Sequence, residues 1–492
     1  MSKWSVKIRD ISYGGLAPSY YAETYPSYGN VNQAGDCVAI DMTNPGYIQP
    51  GPALVVYPGG ASAITTTVRG MSTYSLSATQ TYGAGGNKIY LFNGGASASH
   101  VHTVSATSAS IYIDDIAFYR DDAYYSWRAP SNGQVNIGKR AQNGTYTDTW
   151  WTGTLSATVP QTISGGQYRP PLTFEVGRND VLYFSNGRYV ASYDGSTAQD
   201  KALDMPQNSE VKDIAWLGDR LYISSVYSQY GVPYSSIYVW DGTTNSWEAE
   251  IPVAGYVGAS HVSNGTFYQF YYERNGSNKL ARLEGNSLVD LVSYPGTTPP
   301  EHFQVTEFNG FFLWCAGVDS DDIYAWGSGS IGEPARLFHF VSTGATTGKA
   351  GGIFNAMEGT GVLVAKNDQL YYLDSLTTET YQTGSSWKSL IFDVTKDTMN
   401  GGRIDTVRFN FEKLTGGEVL SWSIENNQGV TLYQDKISYA KATASPALHT
   451  LTTALYNLNG KITENFRICL DYSTGSSTAP VKVKSIQVYG NS

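Results

Sequence analysis

"KDIAWLGDRLYISS", residues 212–225, consists of two short alternating runs hinged on Gly218 and Asp219. Ile214 and Trp216 share one face of a strand and Leu221 and Ile223 one face of the next, so the Gly-Asp pair between them reads as a hairpin turn. Beyond a loop, "SSIYVWDG" (235–242) sets Ile237 and Val239 against Tyr238 and Trp240 on the opposite face. Asp241-Gly242 supplies a second turn, and "NSWEAEI" (245–251) a fourth strand. Four antiparallel strands in about forty residues is the size of one β-propeller blade.

The turn and the strand after it recur. They stand as "GGNKIYLF" near Ile89, "RDDAYYSW" near Tyr124, "RNDVLYFS" near Leu182, "LGDRLYIS" at Leu221, "SNGTFYQF" at Phe267, "FNGFFLWC" at Phe312 and "KNDQLYYL" near Leu370. The anchors lie 35 to 58 residues apart, the scatter expected if loops between repeated strands vary in length. Seven anchors predict a propeller of about seven four-stranded blades. An aromatic residue followed by Asp also recurs, in "SYDGS" at Tyr193 and "YYLDS" at Tyr371, and reads as the turn between third and fourth strands. Trp240-Asp241 is therefore no sign of the WD-repeat pattern, which also needs an upstream Gly-His in each blade.

Composition agrees with an all-β chain. Among 492 residues, 13% are aromatic, with 38 Tyr, and only 15% are charged. Tyr, Thr, Ser, Gly and Val in place of Glu, Lys, Leu and Ala is the chemistry of strands and turns. No amphipathic helix of more than three turns is evident. The net charge of -10 argues against a direct nucleic-acid role, because affinity for phosphate comes mainly from Lys and Arg. Cys37, Cys315 and Cys469 are odd in number and far apart without CxxC spacing, which implies buried thiols and neither a disulfide framework nor a zinc site. The first residues lack the apolar core of a signal peptide and no run suffices to span a bilayer, so synthesis in a cytoplasm is expected.

The two ends differ from the repeat. Residues 1–60, with "GGLAPSYYAETYPSYGNVNQAGD" and "NPGYIQPGPALVV", have the Pro and Gly spacing of an extended arm carrying one or two strands. Residues 61–387 are the propeller. From 388 to 492 the runs lengthen: Val407, Phe409 and Phe411 alternate against Arg408 and Asn410, and Leu420, Trp422 and Ile424 against Ser421 and Ser423. Asn427-Gln428-Gly429 fits a hairpin turn into "VTLYQDKI", and the whole reads as an antiparallel β-sandwich.

Chemistry-bearing patterns are sparse. A propeller glycosidase needs paired carboxylates, and the candidate acids are Asp114, Asp115, Asp121, Asp122, Asp213, Asp219, Asp321 and Asp322. Most stand where turns or strand ends are expected, and Asp is favoured there for local hydrogen bonding. Asp213 and Asp219 read in that way. The sialidase-type Asp box is absent, "WDGTTNSW" lacking its spacing. His100 and His102 share a strand face without a third ligand, and "DSDD" (319–322) lacks the Gly and Glu of a calcium loop, so no metal or cofactor is expected. The aromatic loops "TDTWWTG", with Trp150 and Trp151, and "SVYSQYGVPYSS", with Tyr227 and Tyr230, are the candidate contacts for a glycan or a protein partner.

The Pro/Gly-rich arm leading to "PGYIQPGPALV", the degenerate propeller, and a C-terminal sandwich opened by "FDVTKDTMNGGRIDTVRFNFEKL" together resemble the propeller-type virion proteins of tailed bacteriophages. The resemblance covers the whole chain in layout and rests on no single motif. It implies a non-enzymatic hub, nozzle or adaptor in the virion tail, present in several copies around the tail axis and contacting other tail proteins. Deleting residues 1 to about 45 is then expected to leave a folded propeller that fails to join the particle. Host-surface glycan binding is the alternative reading, and a propeller glycosidase the second.

Overall fold

The computed structural model describes residues 3–17, 33–56, 64–66, 74–76, 112–128, 135–141, 146–147, 149–153, 155, 161–163, 166–168, 172–229, 232–273, 276–296, 298–315, 322–330, 332–342, 350–355, 362–366, 369–373, 380–394, 402–473 and 478–491. The chain is an all-β protein, a propeller joined to an antiparallel sandwich. Among the described residues, six four-stranded antiparallel sheets form blades 1 to 6.

Blade 3 shows how the repeat is built. Its strands are Ser209–Leu217, Arg220–Gln229, Val232–Trp240 and Ala249–Val253. Ile214 pairs with Ile223 and Trp216 with Leu221, leaving Gly218 and Asp219 as a two-residue turn with Gly218 at φ 66°. That left-handed conformation is why the turn begins on glycine. Ile237 and Val239 enter the core shared with blade 4, whereas Tyr238 and Trp240 enter the core shared with blade 2. Blade 3 thus buries both faces, and the alternation in its sequence separates two cores rather than core from solvent.

The other blades begin with Tyr112–Tyr119, Phe174–Val176, Gly255–Ser263, Val305–Phe308 and Ala350–Asn355 for blades 1, 2, 4, 5 and 6. The first strands of blades 1 and 2, 2 and 3, 3 and 4, and 5 and 6 contact one another and so line the axis. The anchors at Tyr124, Leu182, Leu221, Phe267 and Phe312 all lie on second strands. Leu370 does not. It lies on the third strand of blade 6, Gln369–Leu373, the second being Val362–Lys366. The outermost strand of that blade is Leu54–Val56, far upstream in the chain, which pairs Tyr371 with Val56 and Leu373 with Leu54. The anchor at Ile89 lies outside the described residues.

The sandwich packs the sheet Lys3–Ile8, Val483–Asn491, Gly402–Phe411, Thr453–Thr463 against a second one containing Ala34–Val38, Ser386–Ser389, Asn465–Asp471, Val419–Glu425 and Thr431–Ser438. Val407, Phe409, Phe411, Leu420, Trp422 and Ile424 are all buried between the sheets, and Gly429 turns the hairpin at φ 78°. The single α-helix among the described residues is Tyr439–Ala444.

The N-terminal segment runs along both modules of its own chain and carries more strands than its composition suggests. Lys3–Ile8 pairs in register with Val483–Asn491, and Ala34–Val38 with Ser386–Ser389, so both sandwich sheets take an edge strand from it. Ile40–Asp41 and Gln49–Pro50 then pair with each other before Leu54–Val56 enters blade 6. Arg336 on the outermost strand of blade 5 holds the passage: its Nε donates to Met42 O at 2.9 Å, and its guanidinium lies 5.1 Å from the Tyr13 and Phe311 ring centres. The Ala39 amide donates to His339 Nδ1 at 3.2 Å on the same strand.

Candidate functional site

The innermost strands carry a polar network at the propeller axis. Strand geometry explains how it forms. The first strands of blades 1 and 3 each have a register shift, between Ile113 and Asp115 and between Val211 and Asp213. Such a bulge re-aims the following side chain, and here it is an aspartate in both blades. Asp115 Oδ2 accepts the Phe174 amide of blade 2 at 2.6 Å, and Asp213 Oδ2 accepts the Ser260 amide of blade 4 at 2.6 Å. Between them, Glu175 Oε1 of blade 2 accepts the Trp216 amide of blade 3 at 3.2 Å. Three successive blade junctions are each tied by a carboxylate of one blade on a backbone N–H of the next.

A short 3-10 turn, His302–Gln304, enters this axis between blades 4 and 5 and touches the innermost strands of blades 1, 4 and 6. It is closed by a capping box in which Gln304 Oε1 accepts the Glu301 amide at 3.0 Å. His302 Nδ1 lies 3.0 Å from Asp213 Oδ1 and its Nε2 3.7 Å from Asp115 Oδ2. Burial alone would lower the imidazole pKa, but Asp213, Asp115 and Glu175 outweigh it and push it up to about 10. The ring is therefore a cation at neutral pH. The Asp213 side chain is 1% exposed, Asp115 13% and His302 27%, so the cluster is recessed but reaches solvent through the histidine.

Beside this cluster, Lys212 and Glu210 are buried on the same innermost strand of blade 3, and Lys212 Nζ is 3.9 Å from Glu301 Oε1. One strand outward, second-strand hydroxyls and amides continue the network. Ser126 Oγ donates to Leu172 O at 2.9 Å, the Thr173 amide donates to Ser185 Oγ at 2.9 Å, and Ser224 Oγ donates to Gln269 Oε1 at 2.5 Å.

The expectation that Asp213 is a turn or strand-end residue is corrected by this geometry: it sits within the strand, at a bulge, fully buried. Asp219 is indeed at the turn, 86% exposed beside Arg220. Asp121 is a turn residue at φ 66°, and Asp122 pairs with Lys139 at 2.5 Å. Asp322 Oδ1 lies 3.3 Å from His339 Nε2. Asp321, His100, His102 and Tyr230 lie outside the described residues, as does the side chain of Asp114. His302 and Glu175 were not singled out by motif, since nothing in "PPEHFQ" or "LTFEVG" marks them. A Ser recurs within the second strands, as Ser126, Ser185 and Ser224, and is a legible signal of the polar layer around the axis.

Asp194 and Asp241 occupy the expected turns between third and fourth strands. Each Oδ1 accepts two backbone amides, from Ser196 and Thr197 and from Thr243 and Thr244, and these hydrogen bonds hold both carboxyls down at about 2.

The aromatic candidates divide. Trp151 is 7% exposed, its ring 4.7 Å edge-on to Phe184 and its Nε1 donating to Asp200 Oδ1 at 3.1 Å. Trp150 is half-buried, 4.8 Å from both Tyr124 and Tyr193. Both tryptophans thus pack at the junction of blades 1 and 2. Tyr227 stacks on its cross-strand partner Tyr234 at 5.5 Å near the open end of blade 3, with Tyr234 37% exposed. None of the three cysteines is in a disulfide and all are buried, and burial pushes the Cys37 and Cys469 thiols up to about 12. Among the described residues no group of three or more His, Cys, Asp or Glu is arranged to hold a metal ion, and no helix is long and apolar enough to cross a membrane.

No protein-family model matches the chain, and no curated protein does. Solved structures similar to it include YCF48 bound to D1 peptide, at 10% identity and a TM-score of 0.40, covering 70% of this chain and 99% of that one. A mitotic checkpoint complex chain is similar at 13% identity and a TM-score of 0.38, covering 66% and 95%. The C-terminal WD40 domain of Sif2 is similar at 10% and 0.34, covering 57% and 84%. The fold assignment rests on the strand order described above.

Proposed function

We propose that this chain is a non-enzymatic structural component of a tailed-phage virion, a hub, nozzle or adaptor assembling in several copies around the tail axis. The observation that carries the structural role is the threading of the N-terminal segment. One segment of about fifty residues supplies edge strands to both sandwich sheets and the outermost strand of blade 6, so the two modules are stitched into one unit. Such stitching suits a part that must keep its shape within an assembly. The virion assignment draws on the resemblance in layout: Pro/Gly-rich arm, propeller and sandwich.

The axial chemistry supports the absence of catalysis. His302 stays protonated to about pH 10, so it offers no general base at neutral pH. Asp115 and Asp213 face the same imidazolium and each accepts a backbone amide, an arrangement that braces blades instead of flanking a scissile bond. Partners on this reading are further copies of the chain and other tail proteins, and the stacked pair Tyr227 and Tyr234 is the exposed aromatic contact it offers them.

The test is to raise antibodies to the purified chain and label intact particles from lysates of its host. Label confined to the tail supports the proposal; purified particles without the chain overturn it. Retention of the chain on host cells or polysaccharide, lost in Tyr234→Ala, would favour the glycan reading, and release of reducing sugar the enzymatic one.

A further inference from the structure

Lys212 is buried on the innermost strand of blade 3, its side chain 2% exposed; one carboxylate, Glu301, lies within ion-pair range of it, and a second, Glu210, acts on it electrostatically from the same strand. Glu301 Oε1 lies 3.9 Å from Nζ. Glu210, two residues from Lys212 on the same strand, is itself 6% exposed, and its Oε1 has no hydrogen-bond partner. The Tyr256 ring, from the innermost strand of blade 4, is 5.2 Å from the ammonium. Ionising the buried Glu210 beside an ammonium that already pairs with the part-buried Glu301 is costly, and a proton on Glu210 removes that cost. Burial, reinforced by Glu301 and opposed by Lys212, pushes the Glu210 carboxyl up to about 7.

Glu301 has a second role. It is the residue that opens the axial turn, the N-cap of His302–Gln304 and a member of its capping box. Whatever holds Glu301 to blade 3 therefore holds the turn in the axis.

We propose that Glu210 and Glu301 compete for Lys212, so that the proton on Glu210 decides how firmly the axial turn is tethered to blade 3. With the proton in place, Lys212 belongs to Glu301 and the turn is held. When the proton leaves, Glu210 draws on the same ammonium and the tether through Glu301 slackens. Among the described residues, the other charged groups around the turn have partners of their own, and His302 on Asp213 is a second hold on blade 3 that the proton on Glu210 leaves in place. His302 faces Asp213 and Asp115, with Glu175 beyond, and Glu307 in the strand after the turn faces His261 at 3.6 Å. The innermost strand of blade 6, Ala350–Asn355, carries no titratable side chain. Because the turn touches blades 1, 4 and 6, its tether is a device for tightening or loosening the centre of the ring as pH crosses neutrality.

Hydrogen exchange on the full-length chain, read at residues 302–308 and corrected for the intrinsic pH dependence of exchange, tests this. The wild type is expected to show an opening population that rises roughly fivefold or more between about pH 6 and about pH 8.5. Glu210→Gln, a neutral mimic of the protonated state, should stay protected at both, and Glu301→Gln should open at both. Equal protection of the wild type at the two pH values overturns the proposal, as does an unaltered pH dependence in Glu210→Gln. Should Glu210→Gln fail to fold, carboxyl NMR of the wild type decides: titration of Glu210 near neutrality, in step with the opening, supports the competition, and titration near the ordinary glutamate value overturns it.

Discussion

His302 Nδ1 lies 3.0 Å from Asp213 Oδ1, and this contact, together with Lys212–Glu301, joins a turn between blades 4 and 5 to the innermost strand of blade 3. The two residues are 89 apart in sequence. Asp213 also accepts the Ser260 amide, so its carboxylate answers a cation and a backbone donor at once. Removing one member of such a buried pair leaves the other uncompensated, typically at a cost of about 3–5 kcal/mol. Asp213→Ala is therefore expected to lower stability by about 3 kcal/mol, discounted for the partial exposure of the histidine. Asp219→Ala, at an exposed turn, should stay within about 0.5 kcal/mol. Urea denaturation of the two variants beside the wild type measures the contrast.

The pH dependence of stability has a definite sign. Glu210 is raised from 4.5 to about 7 and His302 from 6.5 to about 10, so the folded chain binds more protons than the unfolded chain in both intervals. The stabilisation from Glu210 is complete below 4.5 and lost as pH rises through 7; that from His302 is complete below 6.5 and lost as pH rises through 10. Thermal unfolding should accordingly show a melting temperature that falls from mildly acidic to alkaline pH. His302→Gln should flatten the alkaline part of the profile and leave the part below neutrality.

Trp151 and Tyr234 make opposite predictions although the sequence suggests an aromatic loop at each; Tyr234 in fact lies in the strand Val232–Trp240. Trp151 packs edge-on against Phe184, and Trp151→Ala should cost about 3 kcal/mol or more through the cavity it opens. Tyr234, 37% exposed, should be replaceable by Ala with less than about 1 kcal/mol of change. Calorimetry separates them. A binding defect in Trp151→Ala alone would report on folding, whereas one in Tyr234→Ala at unchanged melting temperature would report on a contact surface.

Truncation of the N-terminus acts on the chain's own core. Ile8 is fully buried and its strand pairs with Val483–Asn491, so Ile8→Ala should cost about 2–4 kcal/mol. Deleting residues 1–45 removes edge strands from both sandwich sheets, and should unfold the sandwich as well as impair assembly. Circular dichroism of the truncated chain checks this before any assembly experiment is read.

Much of the blade architecture was legible because it is local. Gly218-Asp219, Asn264-Gly265 and Asn309-Gly310 all mark tight turns, and positive φ at Gly218, Asn264, Gly265, Asn309 and Gly310 is what those residue types tolerate. The alternation of Ile237 and Val239 against Tyr238 and Trp240 likewise declares a two-faced strand, whichever cores the faces meet. Blade 6 was misread at Leu370 because Asn367-Asp368 repeats the turn signal one strand late. No window of sequence reveals that its fourth strand comes from residue 54. The axial cluster was illegible for a related reason. Asp115, Glu175, Asp213 and His302 lie on four separate elements, and an aspartate in a strand carries no mark that a bulge will turn it towards the axis.

The sequence by itself determined the periodic pieces: strands, turns and the two-faced alternation, all set by neighbours within a few residues and by backbone sterics. Tertiary structure alone decided which edges met, how the N-terminal strands closed two sheets and a blade, and which carboxylates converged on His302. Those outcomes depend on long-range pairing and on the loss of water around charges, and burial acts on a side chain only once distant strands have surrounded it.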